Sequence, residues 1–207
     1  MEDPSTATPS DLDNINPGNV TTGSPVDGAA CFVNFDLTTD VSAITAANYL
    51  ETFKASGSKW KNLGELSENG YTESTSTTSN KFKGWHGTPL LNKVSDEEDT
   101  FKTEFVEVDR DTVAQLRYGE ANVTTDEDGS IKSITPTRVP TRSVIMAFAE
   151  LLDNGRLRLT IFPRASIGSI DDVAHQQGSL LIYGMTFSAS NDAKGHPYYI
   201  TYAKPGA

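Results

Sequence analysis

Ser143-Val-Ile-Met-Ala-Phe-Ala-Glu-Leu-Leu152, then Asp153-Asn-Gly155, then Arg156-Leu-Arg-Leu-Thr-Ile-Phe162 is the stretch that decides how this chain folds. The first run is apolar at consecutive positions, so both of its faces need cover, which is the pattern of a central strand. Asp-Asn-Gly is turn chemistry, with a glycine free to take a positive φ. The run after it alternates, with Leu157, Leu159 and Ile161 on the inward side and Arg156, Arg158 and Thr160 on the outward side. That combination predicts a β-hairpin whose first strand is buried.

More period-2 runs flank it. Cys31, Val33, Phe35 and Leu37 alternate against Phe32, Asn34 and Asp36, predicting a half-buried strand from Ala29 onward. Phe101-Lys-Thr-Glu-Phe105-Val-Glu-Val108 is a strand with charges interleaved. Leu181, Tyr183, Met185 and Phe187 share one face, and Tyr198, Ile200 and Tyr202 alternate against Tyr199 and Thr201. One helix is predicted over 110–118, capped by Asp109, with Val113 and Leu116 on one face and Gly119 as its αL terminator. A second helix over 42–54 is suggested by Ala43, Ala46, Ala47 and Leu50. The expected class is α+β, mainly β: a β-sandwich or barrel flanked by a short α-helix.

Composition narrows the function classes. The 207 residues carry a net charge of −11 with a pI near 4.6, which argues against wrapping nucleic acid or an anionic membrane. The single cysteine, Cys31, forbids an internal disulfide, and His86, His175 and His196 lie far apart, so neither metal nor cofactor is expected. Ser and Thr are abundant, which suits strands with polar surface. Residues 1–28 hold Pro4, Pro9, Pro17 and Pro25 and few large apolar side chains, so they are expected to be extended or disordered. They are either a loose terminus or an arm that orders against a neighbouring subunit, with 29–207 as the folded domain. No run approaches the ~20 apolar residues of a membrane span, and no secretory leader is visible, so assembly in a cytoplasm is expected.

The short chemical motifs do not hold up. Ser56-Gly-Ser-Lys59 matches Ser-x-x-Lys but lacks the partner motifs of penicillin-recognising enzymes. Asp126-Glu-Asp128-Gly129 has Thr124 and Thr135 where a calcium loop needs its first and twelfth ligands, so it reads as a turn. Asp96-Glu-Glu-Asp99 is four adjacent acids, expected in a charged loop or strand end, with no desolvated partner for acid–base work. Trp60 and Trp85 suit either a core or a sugar platform, and a core is the commoner place for a Trp at a strand end. No enzyme is expected.

Tyr-Thr-Glu-Ser-Thr-Ser-Thr-Thr-Ser-Asn at 71–80 has high β-propensity and almost no apolar side chain on either face. It is either a polar loop or a strand whose faces are completed by other copies of the chain or by a water-filled channel.

Trp60-Lys-Asn-Leu-Gly-Glu-Leu-Ser-Glu-Asn-Gly70, continuing to Phe82-Lys-Gly-Trp85-His-Gly87, resembles the start of phage tail tube proteins. The segment from Phe105-Val-Glu107 through Leu116-Arg-Tyr-Gly119 is similar to that family's strand–helix element, and later strands follow in the family's order over residues 35 to 203. The resemblance implies six-fold rings stacked into the hollow tube of a non-contractile tail, assembled in the host cytoplasm and present in the virion. DNA passes through without specific binding, and the implied partners are other copies, the tape-measure protein, the tail terminator and the distal tail protein. Mapped onto this chain, channel-lining positions are Thr72, Ser74, Ser76, Thr78, Asp96, Glu97, Glu98 and Asp99. The inter-ring hairpin loop lies around 68–80 and begins with Glu68, Asn69, Gly70 and Tyr71, the helix packs through Val113, Leu116 and Tyr118, and 1–28 is the arm. The alternatives are a β-sandwich glycan-binding or adhesin module, another structural protein of the virion, or the inner tube of a contractile tail or secretion system, which shares the fold.

Overall fold

Consecutive apolar residues in 143–152 do become the centre of the molecule. The computed structural model describes residues 21–26, 31–137 and 142–204. Its elements are β1 (Gly23–Pro25), β2 (Cys31–Asn34), α1 (Tyr49–Lys54), β3 (Trp60–Gly64), β4 (Leu66–Lys83), β5 (Pro89–Phe105), α2 (Asp111–Tyr118), β6 (Val123–Thr125), β7 (Ile131–Ile134), β8 (Ser143–Leu152), β9 (Leu157–Ile170), β10 (Tyr183–Ala189) and β11 (Tyr199–Ala203). The chain is mainly β, with antiparallel pairing throughout the described residues and two short α-helices.

Nine strands form one sheet in the order β3-β2-β8-β9-β10-β5-β4, with β1 added to β8 and β11 to β9, while β6 and β7 pair separately. The two ends of this path, β3 and β4, are joined through the single residue Glu65. The sheet curls back on itself, since Tyr71 of β4 stacks on Phe148 of β8 with ring centroids 4.0 Å apart. One curled sheet is nearer to a barrel than to two stacked sheets. The junction needs a residue with positive φ, and Gly64 supplies it at +79°. The Glu107 carboxylate occupies the space a side chain at 64 would need, accepting the N–H of Glu65 at 2.7 Å and the Arg110 Nε–H at 2.7 Å. Burial raises the Glu107 pKa, but these hydrogen bonds and the Arg110 charge outweigh it, so the carboxyl sits below its ordinary value.

Residues of β8 alternate between two cores. Val144, Met146 and Phe148 enter one with Phe101, Phe105, Phe162 and Phe187. Ile145, Ala147 and Ala149 enter the other with Phe32, Tyr49, Phe53 and Trp60. Burying each large side chain contributes roughly 1.5–3 kcal/mol, so both clusters stabilise the strand that separates them. The second cluster also explains why β2 is buried on both faces instead of the expected one: Cys31 and Val33 face the first core and Phe32 faces the second.

The same two-sided cover corrects the picture of β9. Leu159 and Ile161 point into the second core as expected. Thr160, expected outward, is fully buried beside Tyr71, and Arg158 is half-buried between Glu150 and Glu73. Pro163 sits where β9 bulges against β8 and where its other edge changes partner from β11 to β10, so its missing N–H costs no ladder bond.

Helix α2 matches the expected 110–118 closely, but its start differs. Arg110 is the N-cap residue and makes no side-chain cap; the nearby carboxylate used is Asp111, which accepts the N–H of Thr112 at 2.6 Å, so Asp109 is not the cap. Gly119 has φ +102° and ψ 141°, which is outside the αL region yet still open only to glycine, and its N–H bonds Gln115 O at 2.8 Å. The expected helix over 42–54 shrinks to α1, because Asp40 and Asn48 side chains hold the preceding backbone in turns. The Asp126–Gly129 segment is the β6–β7 turn, as its sequence indicated. Of the predicted arm, 21–26 lie in the described residues and place β1 along Glu150–Leu152 of β8; the rest lies outside them.

Candidate functional site

The curled sheet has an outer face that is covered in two different ways. Where α1 and its preceding loop lie over it, the face is apolar. Beyond that cover the residues turn to hydroxyls. Ser143 pairs with Ser166, Ser166 with Ser188, Ser188 with Thr100, and Thr100 with Ser74, a transverse row that crosses β8, β9, β10, β5 and β4. At ~4.8 Å per strand the row is about 19 Å wide. A second row beside it runs Ser169, Thr186, Lys102 and Thr72. Alternate positions on β10 and β5 explain why: Met185, Phe187, Phe101 and Thr103 are buried in or against the first core, which leaves Thr186, Ser188, Thr100 and Lys102 on the opposite side.

Directly opposite residues in an antiparallel pair share a face. Thr72, Ser74, Ser76 and Thr78 therefore lie with Lys102, Thr100, Glu98 and Asp96 on this hydroxyl face. Glu97 and Asp99 pair with Thr77 and Thr75 and belong to the other face. The four acids are thus in the middle of a strand, neither in a loop nor at a strand end, and they divide two and two. Thr75 donates to Asp99 Oδ1 at 2.5 Å, and Ser188 donates to Glu98 Oε1 at 3.1 Å. Lys102 pairs with Asp171 at 2.7 Å; this hydrogen bond and the carboxylate charges of Asp171 and Glu104 hold its pKa above the ordinary lysine value.

The 71–80 stretch is strand, and its neighbours make a hairpin longer than the sequence suggested. Both faces of β4 and β5 are exposed beyond Thr72 and Asp99, and β10 stops pairing with β5 at Asp99. From there the hairpin is a two-stranded ribbon that turns at 84–88, with the Gly84 N–H bonded to Thr88 O and the Gly87 N–H bonded to Gly84 O. The turn falls here because Gly87 takes φ +78° and Pro89 opens the return strand. The expected loop residues Glu68, Asn69, Gly70 and Tyr71 are instead at the hairpin base, in a bulge where pairing skips from Leu66 to Tyr71. Gly70 there has φ +60°.

Tyr71 fixes that base. Its ring lies against Phe148, and its hydroxyl is 3.2 Å from the Glu150 carboxylate, to which it donates, and 3.3 Å from the Thr160 hydroxyl. Burial, the largest cause, pushes its pKa up. Val113 and Leu116 are buried in the first core, and Tyr118 meets Tyr183 edge-on at 6.1 Å. Lys61 of β3 ties the helix down through Gln115 at 2.9 Å.

Trp60 is buried and stacks on Phe53 at 4.1 Å. Trp85 is not in a core: it is 100% exposed at the hairpin turn, because 84–88 project beyond every other element that pairs with the ribbon. Sequence reasoning also missed Ser143, Ser166, Thr186 and Ser188 as members of the hydroxyl face. Their only signal was alternation with buried residues, which marks a solvated face without saying which strands join it. Among the described residues, no group of three or more metal-ligating side chains forms, and no helix is long and apolar enough to cross a membrane.

A family model described as phage tail tube protein matches residues 33–204. The chain belongs to the phage tail tube protein family, a class of structural proteins of the virion. Among solved structures, a chain of the "Virion of native gene transfer agent (GTA) particle" aligns with a TM-score of 0.36 and 9% identity, covering 86% of this chain and 98% of that one. No curated protein matches it.

Proposed function

We propose that this protein forms six-fold rings that stack into the hollow tube of a non-contractile tail, and that the hydroxyl face lines the channel through which DNA is ejected. The observation that carries this is the Ser143–Ser166–Ser188–Thr100–Ser74 row, a continuous hydroxyl surface with no apolar residue in it. Such a surface keeps its water and offers DNA no ammonium cluster to bind. Along β5, Asp96, Glu98 and Glu104 outnumber Lys102 on this face, which makes that part of it acidic, so it repels phosphate. Sheet edges favour ring closure as well. β4 has β5 on one side only, so its long outer edge offers unpaired backbone groups to a neighbouring subunit. Residues ahead of β1, which itself pairs within the chain, are proposed as an arm that helps hold subunits together, and the tape-measure, tail terminator and distal tail proteins as the other partners.

Negative-stain electron microscopy of the purified chain over a range of concentrations tests this. Stacked rings or hollow tubes are expected. A chain that remains monomeric, even when offered the tail-tip components that start tube growth, would overturn it. The fully exposed Trp85 favours one other reading, a glycan-binding module. That predicts monomers whose binding to a glycan array is lost in Trp85→Ala.

A further inference from the structure

Asn-Gly occurs twice in this chain, as Asn69-Gly70 in the bulge at the base of β4 and as Asn154-Gly155 in the turn between β8 and β9. An asparagine before glycine is open to attack by its own backbone, because glycine puts no Cβ beside the attacking nitrogen. The reaction needs a free glycine nitrogen, a free carboxamide and a backbone that can move. At Asn154 all three are denied. The Gly155 N–H donates to Leu152 O at 2.8 Å, and Asn154 Oδ1 accepts the Arg156 N–H at 3.1 Å. Both reacting groups are thus engaged by the turn, and the pairing of Leu151 with Leu157 fixes the strands on either side.

Asn69 differs on each count. Pairing between β4 and β5 skips from Leu66 to Tyr71, so residues 67–70 have no ladder to hold them. The Gly70 carbonyl accepts the Thr103 hydroxyl at 3.2 Å, while its N–H, the group that reacts, is in no ladder pair. Gly70 has φ +60°, and no atom beyond its chain neighbours lies within 4 Å of where a side chain on it would begin. Asn69 is exposed, and its carboxamide makes one long contact, from Nδ2–H to Glu104 Oε2 at 3.3 Å.

We propose that Asn69 is a self-modifying site, converting with time to aspartate and isoaspartate in the folded chain while Asn154 is spared. The Gly70 nitrogen attacks Asn69 Cγ and a C–N bond forms. The Cγ–Nδ2 bond breaks, and the amide nitrogen leaves as ammonia with the proton of Gly70. Water then opens the cyclic imide, its hydroxyl going to a carbonyl carbon and its proton to the nitrogen. Opening at one carbonyl gives aspartate; opening at the other gives isoaspartate, whose longer main chain the bulge accepts because it has no ladder pairs to lose. Glu104 Oε2 accepts from the Ser67 hydroxyl at 2.8 Å as well as from Asn69. A carboxylate at 69 replaces that second donor with a like charge and loosens the base of the hairpin beside Tyr71. The reaction needs only water, so it is independent of the tube assembly proposed above.

Peptide mass spectrometry tests it. Unassembled full-length chain is incubated in warm, mildly alkaline buffer, sampled over time and digested. The peptide holding residue 69 is expected to become heavier by about 1 Da, water gained against ammonia lost, and to split into aspartate and isoaspartate forms. Its rate is expected to exceed that at 154 by about tenfold or more, since the turn must first give up two hydrogen bonds. In guanidinium the two sites are expected to react alike. Equal rates in the folded chain, or no gain at 69, would overturn the proposal. The same preference for 69 in guanidinium would also overturn it, by assigning the difference to local sequence instead of the fold. Separately, Asn69→Asp is expected to lower the urea midpoint of the folded chain, and Glu104→Gln added to it to restore that midpoint. No restoration would overturn the like-charge consequence.

Discussion

Tyr71 and Phe148 lie ring on ring, 4.0 Å between centroids and 13° from parallel, although one belongs to the last strand of the sheet path and the other to its middle. This contact holds the curl of the sheet and anchors the projecting hairpin. Tyr71→Ala is expected to destabilise the fold by about 2–4 kcal/mol through lost ring packing and a Thr160 hydroxyl left without its partner. Tyr71→Phe keeps the stack and is expected to cost about 1 kcal/mol. Urea unfolding of both variants checks this; equal losses would mean that the hydroxyl, and not the ring, carries the contact.

The two tryptophans sit in opposite environments, Trp60 in a core and Trp85 in solvent. Trp60→Ala removes a buried ring stacked on Phe53 and is expected to cost about 3–5 kcal/mol of stability. Trp85→Ala, at a fully exposed position, is expected to leave monomer stability within about 0.5 kcal/mol. Thermal melts of unassembled protein read the difference directly.

Asp36 makes stability depend on acid. The Lys59 ammonium at 2.6 Å, then the Thr38 hydroxyl and N–H, hold its carboxyl far below the ordinary 3.8. A carboxyl with a depressed folded pKa stabilises the fold above its unfolded value, and that contribution is lost as pH falls through and below 3.8. Stability is therefore expected to be flat near neutrality and to fall below about pH 4. Asp36→Asn is expected to be less stable at pH 7 and to show a shallower acid slope; an unchanged slope would assign the acid dependence to other carboxylates.

The proposed channel lining separates the four acids by the face each occupies. Asp96 and Glu98 share the hydroxyl face, and Glu97 and Asp99 do not. Asp96→Lys with Glu98→Lys is expected to slow genome ejection while tubes still assemble. Glu97→Lys with Asp99→Lys is expected to slow it less. Equal ejection rates in both variants, measured on purified particles, would place the channel elsewhere.

Much of this architecture was legible locally. The 143–162 hairpin, the α2 helix and the 126–129 turn each announce themselves through period and turn residues within a few positions, because steric preference and side-chain alternation act at that range. Thr160 and Phe32 show the limit. Each looked outward in its own strand and is buried, because a second layer from elsewhere in the chain lies over that face. Trp85 errs in the opposite direction, since nothing in its neighbours says how far the ribbon extends beyond β10.

The positions of the 143–162 hairpin strands and the acidic charge thus follow from residue order alone, as does the tail tube resemblance that the family match bears out. The hydroxyl row across Ser143, Ser166, Ser188, Thr100 and Ser74 does not, because register between strands remote in sequence is set by how Phe101, Phe148, Phe162 and Phe187 pack in the shared core. A shift of one residue in any of those pairings would turn a hydroxyl inward and an aromatic ring to water, so packing in three dimensions chose the face that local sequence left open.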